Sequence, residues 1–202
     1  MLRMVKSGQC ILDEDDPPVG LFCVLAGQVA VTRRIGSEAE FFYHLGGPGF
    51  WFGESGLLSN GVALVTVTAR TETRMLVVTA GRFEQILDSH PGYYRWLAAL
   101  LVRRYAIIMR LMAQRQGLSH EEFLRIRLAD FRDLLLQEGA TAERVELALT
   151  QTDLAHAIGA SRQTVNALLR KLESAGFIET GFRSITVLDP AGLRGSHRKT
   201  GL

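Results

Sequence analysis

Hydrophobic positions follow two periods, an alternating one up to about residue 80 and a helical one beyond it. In the first part, short apolar runs rich in Val, Thr and aromatic residues are separated by Gly and Pro, which predicts the strands of a β-barrel or sandwich. The predicted strands cover residues 21–25, 29–32, 41–45, 62–68 and 74–78. Gly27 predicts a hairpin-like turn between the first two strands. The aromatic residues 50–52 are interpreted as core of this barrel.

The helical period begins with a short helix and continues in a long one. Thr79 is a suitable N-cap for a helix that buries Phe83, Ile86 and Leu87. After the His-Pro-Gly of residues 90–92, a helical pattern continues to about Arg115. One apolar stripe on this long helix recurs at alternating four- and three-residue steps, as in a coiled coil. The stripe consists of Tyr94, Ala98, Leu101, Tyr105, Ile108 and Met112.

A second apolar face of the long helix lies beside this stripe, at Leu97, Leu100, Ile107 and Leu111. A helix with two apolar faces needs two partners. We therefore expect one face to pack on the barrel and the other on a second copy, in a two-fold homodimer. The alternative is a helix buried wholly inside one chain.

Residues 116–119 interrupt the helical pattern and predict a hinge. Ser119 and Glu122 then have the spacing of a capping box for a helix from Leu124 to Gln137. Gly139 is expected to stop this helix. The chain beyond the hinge therefore begins a separate helical unit.

Residues 149–172 predict two short helices joined by a tight turn. Thr150 is a good N-cap, and Asp153 stands where a carboxylate can reach back to the first free N–H groups. Gly159 has the backbone freedom to end the first helix, and Ser161 caps the second. The apolar positions are Leu154, Ala155, Ile158, Val165, Leu168, Leu169 and Leu172.

The opposite face of the second helix is nearly free of carboxylates, which suits a helix that lies in a DNA groove. Its residues are Arg162, Gln163, Thr164, Asn166 and Arg170. The alternative is an ordinary helical hairpin with a solvated polar face. Two short apolar runs at 176–179 and 185–188 follow around a turn and complete a winged helix. The tail after Pro190 is Gly-rich and basic, and we expect it to be mobile.

Composition narrows the class of protein without defining it. The chain has 202 residues, enough for one large or two small domains, and 47% of them are hydrophobic. No apolar run approaches the ~20 residues of a membrane span, and the N-terminus lacks a signal-peptide core, so we expect a cytoplasmic protein with no membrane partner. Residues 150–202 carry seven Lys or Arg and four acidic residues, whereas the whole chain has a net charge of only +2. A basic C-terminal part is typical of a nucleic-acid-binding end.

Three groups of residues occur in an informative order. They are Val24-Leu25-Ala26-Gly27-Gln28-Val29, then Pro48-Gly49 leading to Phe52-Gly53-Glu54, then residues 150–172 with the wing entry Gly176-Phe177-Ile178. With them, from about Gly8 to Leu188, the chain resembles the cyclic AMP receptor protein/FNR (CRP/FNR) family of bacterial transcription regulators. The resemblance implies an α+β fold in three parts. These are a β-roll or jelly-roll sensor domain like cyclic-nucleotide-binding domains (1–90), a dimerisation helix with hinge (91–117) and a winged helix-turn-helix DNA-binding domain (118–202).

The resemblance also implies roles for the polar residues of the motif. Ser161, Arg162, Gln163, Thr164 and Asn166 would face double-stranded DNA at a palindromic operator, with Arg162 on a guanine and Gln163 on an adenine. Phosphate contacts would come from Thr150, Gln151 and Arg183. Gln163 stands where Glu is frequent in the family, and Ala167 where Arg is frequent, so we expect a distinct operator. RNA polymerase is a further partner that the resemblance suggests.

The cyclic-nucleotide branch of the family binds its ligand through a Gly-Glu pair and an Arg-Ser or Arg-Thr pair. Gly53 and Glu54 are present here, but the second pair falls on Ala63 and Leu64, and a base-contacting hydroxyl of the long helix falls on Met112. An unpaired buried phosphate would cost several kcal/mol. We therefore expect no cyclic AMP in the usual mode. The pocket would hold an apolar or uncharged effector, or its own side chains.

Other sensors and functions remain as alternatives. An iron–sulfur cluster needs four Cys, and only Cys10 and Cys23 occur. His44 and Cys23 are interpreted as core or surface residues rather than haem ligands, no metal-ligand spacing is visible, and a redox role of either Cys stays open. A regulator that depends on a cyclic nucleotide or another small molecule, and a ligand-sensing adaptor module, are the competing functions. A cupin-type enzyme is rejected because His44 is the only His before residue 90.

Overall fold

Two four-stranded antiparallel sheets form the N-terminal part of the computed structural model, which describes residues 1–36, 39–59, 61–138 and 144–195. The strands are β1 (Leu2–Val5), β2 (Cys10–Leu12), β3 (Gly20–Ala26), β4 (Val29–Ile35), β5 (Ala39–Gly46), β6 (Trp51–Phe52), β7 (Thr66–Ala69) and β8 (Thr73–Thr79), with a short helix α1 (Glu54–Ser59) after β6. The orders are β1-β8-β3-β6 and β2-β7-β4-β5. The two sheets together form the predicted β-roll.

The interior of the roll is a close-packed apolar core, because alternate residues of each strand point inward. Phe22 stacks on Phe52 with ring centroids 4.9 Å apart, and Phe50 lies 5.9 Å from Phe52. Val24 and Met75 are fully buried beside them. The aromatic cluster is therefore core for Phe50 and Phe52, as predicted.

Two details of the strand prediction are wrong. β3 and β4 lie in different sheets, so the turn at residues 26–28 is not a hairpin but the point where the chain passes from one sheet to the other. Gly27 is required there because its φ is 90° and a Cβ would lie 2.3 Å from the Glu72 carbonyl oxygen. The strand predicted over 62–68 begins only at Thr66, since Ala63 bonds instead to the backbone of Asp15 and Asp16.

Three helices follow the roll, namely α2 (Ala80–Ser89), α3 (Tyr93–Gly117) and α4 (His120–Gln137). Thr79 occupies the predicted N-cap position of α2, but its side chain makes no capping bond. The predicted capping box of α4 is confirmed, with Ser119 and Glu122 bonded in both directions. Gly139, the predicted stop, lies outside the described residues.

The C-terminal part contains β9 (Glu146–Leu147), α5 (Gln151–Ile158), α6 (Arg162–Ser174), β10 (Ile178–Gly181), β11 (Ser184–Val187) and α7 (Pro190–Arg194). Its three strands form a sheet in the order β10-β11-β9, beside the helices. This arrangement is the predicted winged helix.

The tail prediction is wrong for its first residues, because Pro190–Arg194 is a helix. Leu193 is buried, Arg125 donates to its carbonyl oxygen, and Arg194 pairs with Asp130 and Asp133 of α4. Together these contacts anchor α7. Residues 196–202 lie outside the described residues.

The roll and the winged helix share one hydrophobic core. Phe42 and Leu45 of β5 are fully buried in the same cluster as Leu124, Phe131 and Leu154 of the C-terminal helices. The two parts are therefore joined by packing and not only by the chain.

Arg127 lies in this joint core at 1% exposure. Its guanidinium donates to the Tyr43 carbonyl oxygen at 2.9 Å and lies 4.1 Å from the Phe131 ring centroid. Burial lowers the pKa of Arg127 to about 10, while the Asp130 charge opposes that decrease. The side chain stays protonated at neutral pH and holds β5 to α4.

Candidate nucleic-acid interface

The first helix of the motif begins with a complete capping box. The Asp153 N–H donates to the Thr150 hydroxyl oxygen at 3.1 Å, and the Thr150 N–H and hydroxyl donate to Asp153 Oδ2 at 2.8 and 2.7 Å. The Thr150 hydroxyl is therefore engaged inside the cap rather than free for a phosphate. The first N–H groups of α5 have no partner within the helix, as at any helix start, and half-exposed Gln151 lies beside them.

The turn of the motif follows from two local bonds. Gly159 ends α5 in the left-handed region, at φ 67°. Ser161 then caps α6, accepting from the Thr164 N–H at 3.0 Å. The predicted helix ends are both confirmed.

One face of α6 is buried and the other is open. Val165, Leu169 and Leu172 are at most 3% exposed. The predicted DNA-facing side chains are exposed, with Asn166 half-exposed: Ser161, Arg162, Gln163, Thr164, Asn166 and Arg170. Within the described ranges, no hydrogen bond or ion pair engages the Arg162, Gln163 or Arg170 side chain. The donors that would read a DNA groove are therefore available.

The wing is tied to the helix that it flanks. Glu173, near the end of α6, accepts from the Thr180 N–H and hydroxyl, each at 2.7 Å. These two bonds lower the pKa of the Glu173 carboxyl. The wing turn is Phe182-Arg183, where Phe182 is 94% exposed and Arg183 has φ 57°. The predicted phosphate contact Arg183 therefore lies at the exposed tip.

Two side chains of the roll hold the start of the motif, and the sequence did not indicate either role. The Gln28 amide accepts from the Ala148 N–H at 2.9 Å and donates to the Glu146 carbonyl oxygen at 2.6 Å. Arg70 forms an ion pair with Asp153, the carboxylate of the α5 capping box. Gln28 was visible only as part of the family motif, and nothing in the sequence singled out Arg70.

A crevice of about 270 Å³ opens beside these contacts. Thr150 and Arg183, both predicted phosphate contacts, line it together with Gln28 and Arg70. The structure therefore brings the start of α5 and the wing tip to one polar notch at the edge of the roll.

The residues predicted for an effector pocket do not share one environment. Glu54, next to Gly53, is 2% exposed, and Ala63 is 3% exposed, whereas Leu64 and Met112 are 47% and 57% exposed. Met112 belongs to the outer surface of α3. In the single chain Glu54 and Ala63 are therefore buried and Leu64 and Met112 are exposed, and the pocket stays a prediction.

Glu54 has a partner that the sequence did not reveal. Arg104 of α3 pairs with it, with Nη1 3.0 Å from Oε1, and also donates to the Trp51 carbonyl oxygen. In the described part of the chain, Glu54 Oε2 and Arg104 Nε are buried without a hydrogen-bond partner. Burial raises the pKa of nearby Tyr43, and the Arg104 charge opposes this rise. The acid of the Gly-Glu pair is therefore neutralised by the chain's own cation.

The predicted dimer stripe on α3 is exposed, although its residues are apolar. Leu97 and Leu111 of the second face are buried against the chain, at 2% and 7% exposure. The large stripe residues are between 41% and 63% exposed: Tyr94, Leu101, Tyr105, Ile108 and Met112. Ala98 is exposed between them. The alternative of a helix wholly buried in one chain is therefore wrong.

The remaining sensor candidates have ordinary structural environments. His44 is buried and lies 3.2 Å from Glu138. Burial raises the pKa of the Cys23 thiol to about 11, which disfavours the reactive thiolate. Cys10 is exposed as a residue. Partial desolvation of its thiol raises the thiol pKa, and the nearby Asp13 charge adds to this rise. Among the described residues, no metal-binding cluster occurs, and no helix is long and apolar enough to cross a membrane.

Comparison with known proteins agrees with this architecture. The family model of the Crp-like helix-turn-helix domain matches residues 97–196, and that of the cyclic nucleotide-binding domain matches residues 2–90. The HTH-type transcriptional regulator Cmr of Mycobacterium tuberculosis is 32% identical over 190 residues, which cover 93% of this chain and 72% of that protein. A CRP-like cAMP-activated global transcriptional regulator of the same species is 27% identical, covering 90% of this chain and 81% of that one.

A solved structure has the same fold. A CRP/FNR-family transcriptional regulator from Thermus thermophilus superposes with a TM-score of 0.74 at 24% identity, over 96% of each chain. At this identity the likeness establishes the fold.

Proposed function

The chain belongs to the CRP/FNR family of transcription regulators, and on that premise we propose that it is a homodimer that binds a palindromic operator through α6. Members of this family are regulators and not enzymes, so the cupin-type alternative is excluded. The observation that carries the proposal is the open polar face of α6, with Arg162 and Gln163 exposed and unpaired in the described chain.

The proposed DNA contacts divide into two kinds. Arg162 donates to a guanine and Gln163 bonds to an adenine in the major groove. Thr164, Asn166 and Arg170 line the same face, and Ser161 sits at its start. The α5 start at Thr150 and Gln151 and the wing residue Arg183 contact phosphates, which set the position of α6 without reading sequence. Because the Thr150 hydroxyl is engaged in its cap, the backbone N–H groups of α5 supply that phosphate contact.

The proposed dimer buries the α3 stripe. Leu101, Tyr105 and Ile108 would otherwise leave a continuous apolar surface in water. A two-fold axis along α3 also presents two copies of α6 to half-sites about one DNA turn apart, some 34–36 Å.

We further propose that cyclic AMP does not bind in the mode usual for the family. Glu54 is paired with Arg104, and residues 54–69 contain no Arg or Lys to neutralise a buried phosphate. The aromatic core of Phe22, Phe50 and Phe52 fills the inside of the roll. Relatives named for activation by cAMP exist, so cyclic-nucleotide dependence is the alternative to be tested.

The proposed function requires the protein to work in the cytoplasm, where bacterial DNA lies, and makes RNA polymerase a partner when the operator is near a promoter. An adaptor that binds only proteins is disfavoured because the only acidic side chain of α6 is Glu173, which is bonded to Thr180 of the wing.

Selection of genomic fragments by the purified protein, with and without cell extract, tests the proposal. We expect enrichment of two-fold-symmetric sites, and a binding constant for random duplex that falls steeply with salt. Random recovery of fragments in both arms would contradict it.

A further inference from the structure

A second cavity lies outside the roll, and none of the residues predicted for the effector pocket lines it. It has a volume of about 490 Å³ and opens between β3, β8, α2 and the first turns of α3. Its floor is more than 90% buried, at Leu21, Phe83, Leu87 and Leu97. The cavity is therefore a depression with a packed base and not a gap between loose segments.

One wall of this cavity is an aromatic pair. Trp51 and Trp96 meet edge to face, with ring centroids 5.2 Å apart and an interplanar angle of 78°. Protein interiors leave few voids larger than a water molecule, whereas ligand pockets of about 300–1,000 Å³ are mostly apolar and aromatic. The volume and walls of this cavity match a ligand pocket.

The lining defines the chemistry of an occupant. Aside from His90 and Tyr93 at the rim, every lining side chain is apolar or Trp. No Asp, Glu, Lys or Arg lines it, so a charged group buried there would lose its hydration without compensation. An uncharged, largely apolar molecule fits, with His90 and the Tyr93 hydroxyl as its hydrogen-bonding partners.

We expect a second copy of the chain to leave this cavity open. Of the α3 residues that line it, Leu97 is 2% exposed and packs within its own chain, and Trp96 lies roughly 120–140° around the helix from Leu101 and Ile108, at 3.6 residues per turn. A partner helix seated on the stripe therefore leaves the cavity open.

We propose that this cavity binds an uncharged, apolar or aromatic small molecule that acts on α3. An occupant touches Trp51, whose carbonyl oxygen accepts from Arg104, and Arg104 in turn pairs with Glu54. It also contacts the joint at residues 90–92, where α2 passes into α3. Both contacts bear on the orientation of the dimer helix. This site deepens the proposed function by naming the effector class, and the effect on α3 rests on that function.

Energy transfer from tryptophan to the neutral fluorophore N-phenyl-1-naphthylamine tests the site directly. The chain has only two Trp, and both line the cavity, so efficient transfer reports a probe bound in their neighbourhood. We expect saturable, micromolar binding to the full-length wild-type protein. Absence of saturable transfer would overturn the proposal.

Matched variants on α2 locate the bound probe. Ile86→Glu sets a carboxylate into the wall, whereas Gln85→Glu adds the same group one residue away, at an exposed position outside the lining. The dissociation constant should rise at least about tenfold in Ile86→Glu and stay unchanged in Gln85→Glu. Equal binding to both variants would show that the probe sits elsewhere and would refute the site.

The dimer-disrupting variant Leu101→Glu/Ile108→Glu separates ligand from partner. Equal probe binding by the wild type and this variant supports a ligand site. Binding by the variant alone would mean that a second copy covers the cavity, and would overturn the assignment. Operator binding is measured independently, so failure of the cavity and failure of the proposed DNA-binding function give different results.

Discussion

The polar groups on the open face of α6 and those of the Glu54–Arg104 ion pair in the roll have opposite environments. On α6, Arg162 and Gln163 are exposed, and within the described chain nothing pairs with their side chains. In the roll, Glu54 is buried and neutralised by Arg104 from the same chain. The proposed DNA-reading surface keeps its donors unpaired, whereas the buried carboxylate of the roll has its charge satisfied within the chain.

The largest expected effect comes from the apolar stripe of α3, because the proposed operator binding by two copies of α6 requires the dimer. Leu101→Glu/Ile108→Glu places carboxylates where two apolar helices should meet. We expect a monomer in sedimentation analysis and operator binding weaker by about 100-fold or more, because the two half-sites are no longer engaged together. The control Ala99→Glu adds a charge on the side of α3 away from the stripe and should stay dimeric. A dimeric double variant would refute the interface.

The next largest effect is expected when the Glu54–Arg104 ion pair of the roll is broken. Arg104→Met leaves Glu54 buried without its cation, and we expect a loss of about 3 kcal/mol in the free energy of unfolding. Adding Glu54→Gln should restore most of that loss, because a well-packed neutral pair replaces a buried charge. Urea denaturation measures both variants. If Arg104→Met alone were as stable as the wild type, the ion pair would not stabilise the fold.

Base reading by α6 should contribute less per residue. Arg162→Ala and Gln163→Ala should each weaken operator binding by about 1–3 kcal/mol while changing binding to random duplex far less. Gln163→Glu should instead move the preferred base at one position of each half-site towards cytosine, whose amino group a carboxylate accepts. Competition between operator variants measures both results. Unchanged preference in all three proteins would exclude base contacts at these positions.

The smallest effect concerns the link between α6 and the wing. The pKa of Glu173 is lowered in the folded protein by its bonds to Thr180, so this link stabilises the fold above the unfolded-state pKa of a glutamate. The contribution disappears as the pH falls through the lowered folded-state value. Thr180→Val should remove this pH-dependent part, so its stability deficit should be larger at pH 6 than at pH 3 in denaturation experiments. An equal deficit at both pH values would contradict the assignment.

Local sequence signals made the helix-turn-helix motif of α5 and α6 predictable. The capping residues Thr150, Asp153 and Ser161 and the left-handed Gly159 act within a few positions of one another, so their spacing carries the information. The polar face of α6 followed from the helical period alone. The short helix α7 was missed although Asp189 caps it and Pro190 stands at its first position. The contacts with α4 that anchor Leu193 and Arg194 are far away in sequence.

The β-roll was less predictable, because the contacts that pair its polar side chains join residues that are distant in sequence. Arg104 meets Glu54 across 50 positions, and Gln28 meets Glu146 across 118. No periodic pattern encodes such pairs. The turn at Gly27 also misled the strand pairing, since the same glycine signal serves a hairpin and a passage between sheets.

Anisotropy titration of a genomically selected operator, with and without cyclic AMP, tests the central claim. That claim is that α6 binds the operator and that cyclic AMP does not bind the roll in the mode usual for the family. The account predicts binding that is specific over random duplex, weakens with salt and is the same in the presence of cyclic AMP. Binding that strengthens when cyclic AMP is added, or no preference for the selected operator, would contradict it.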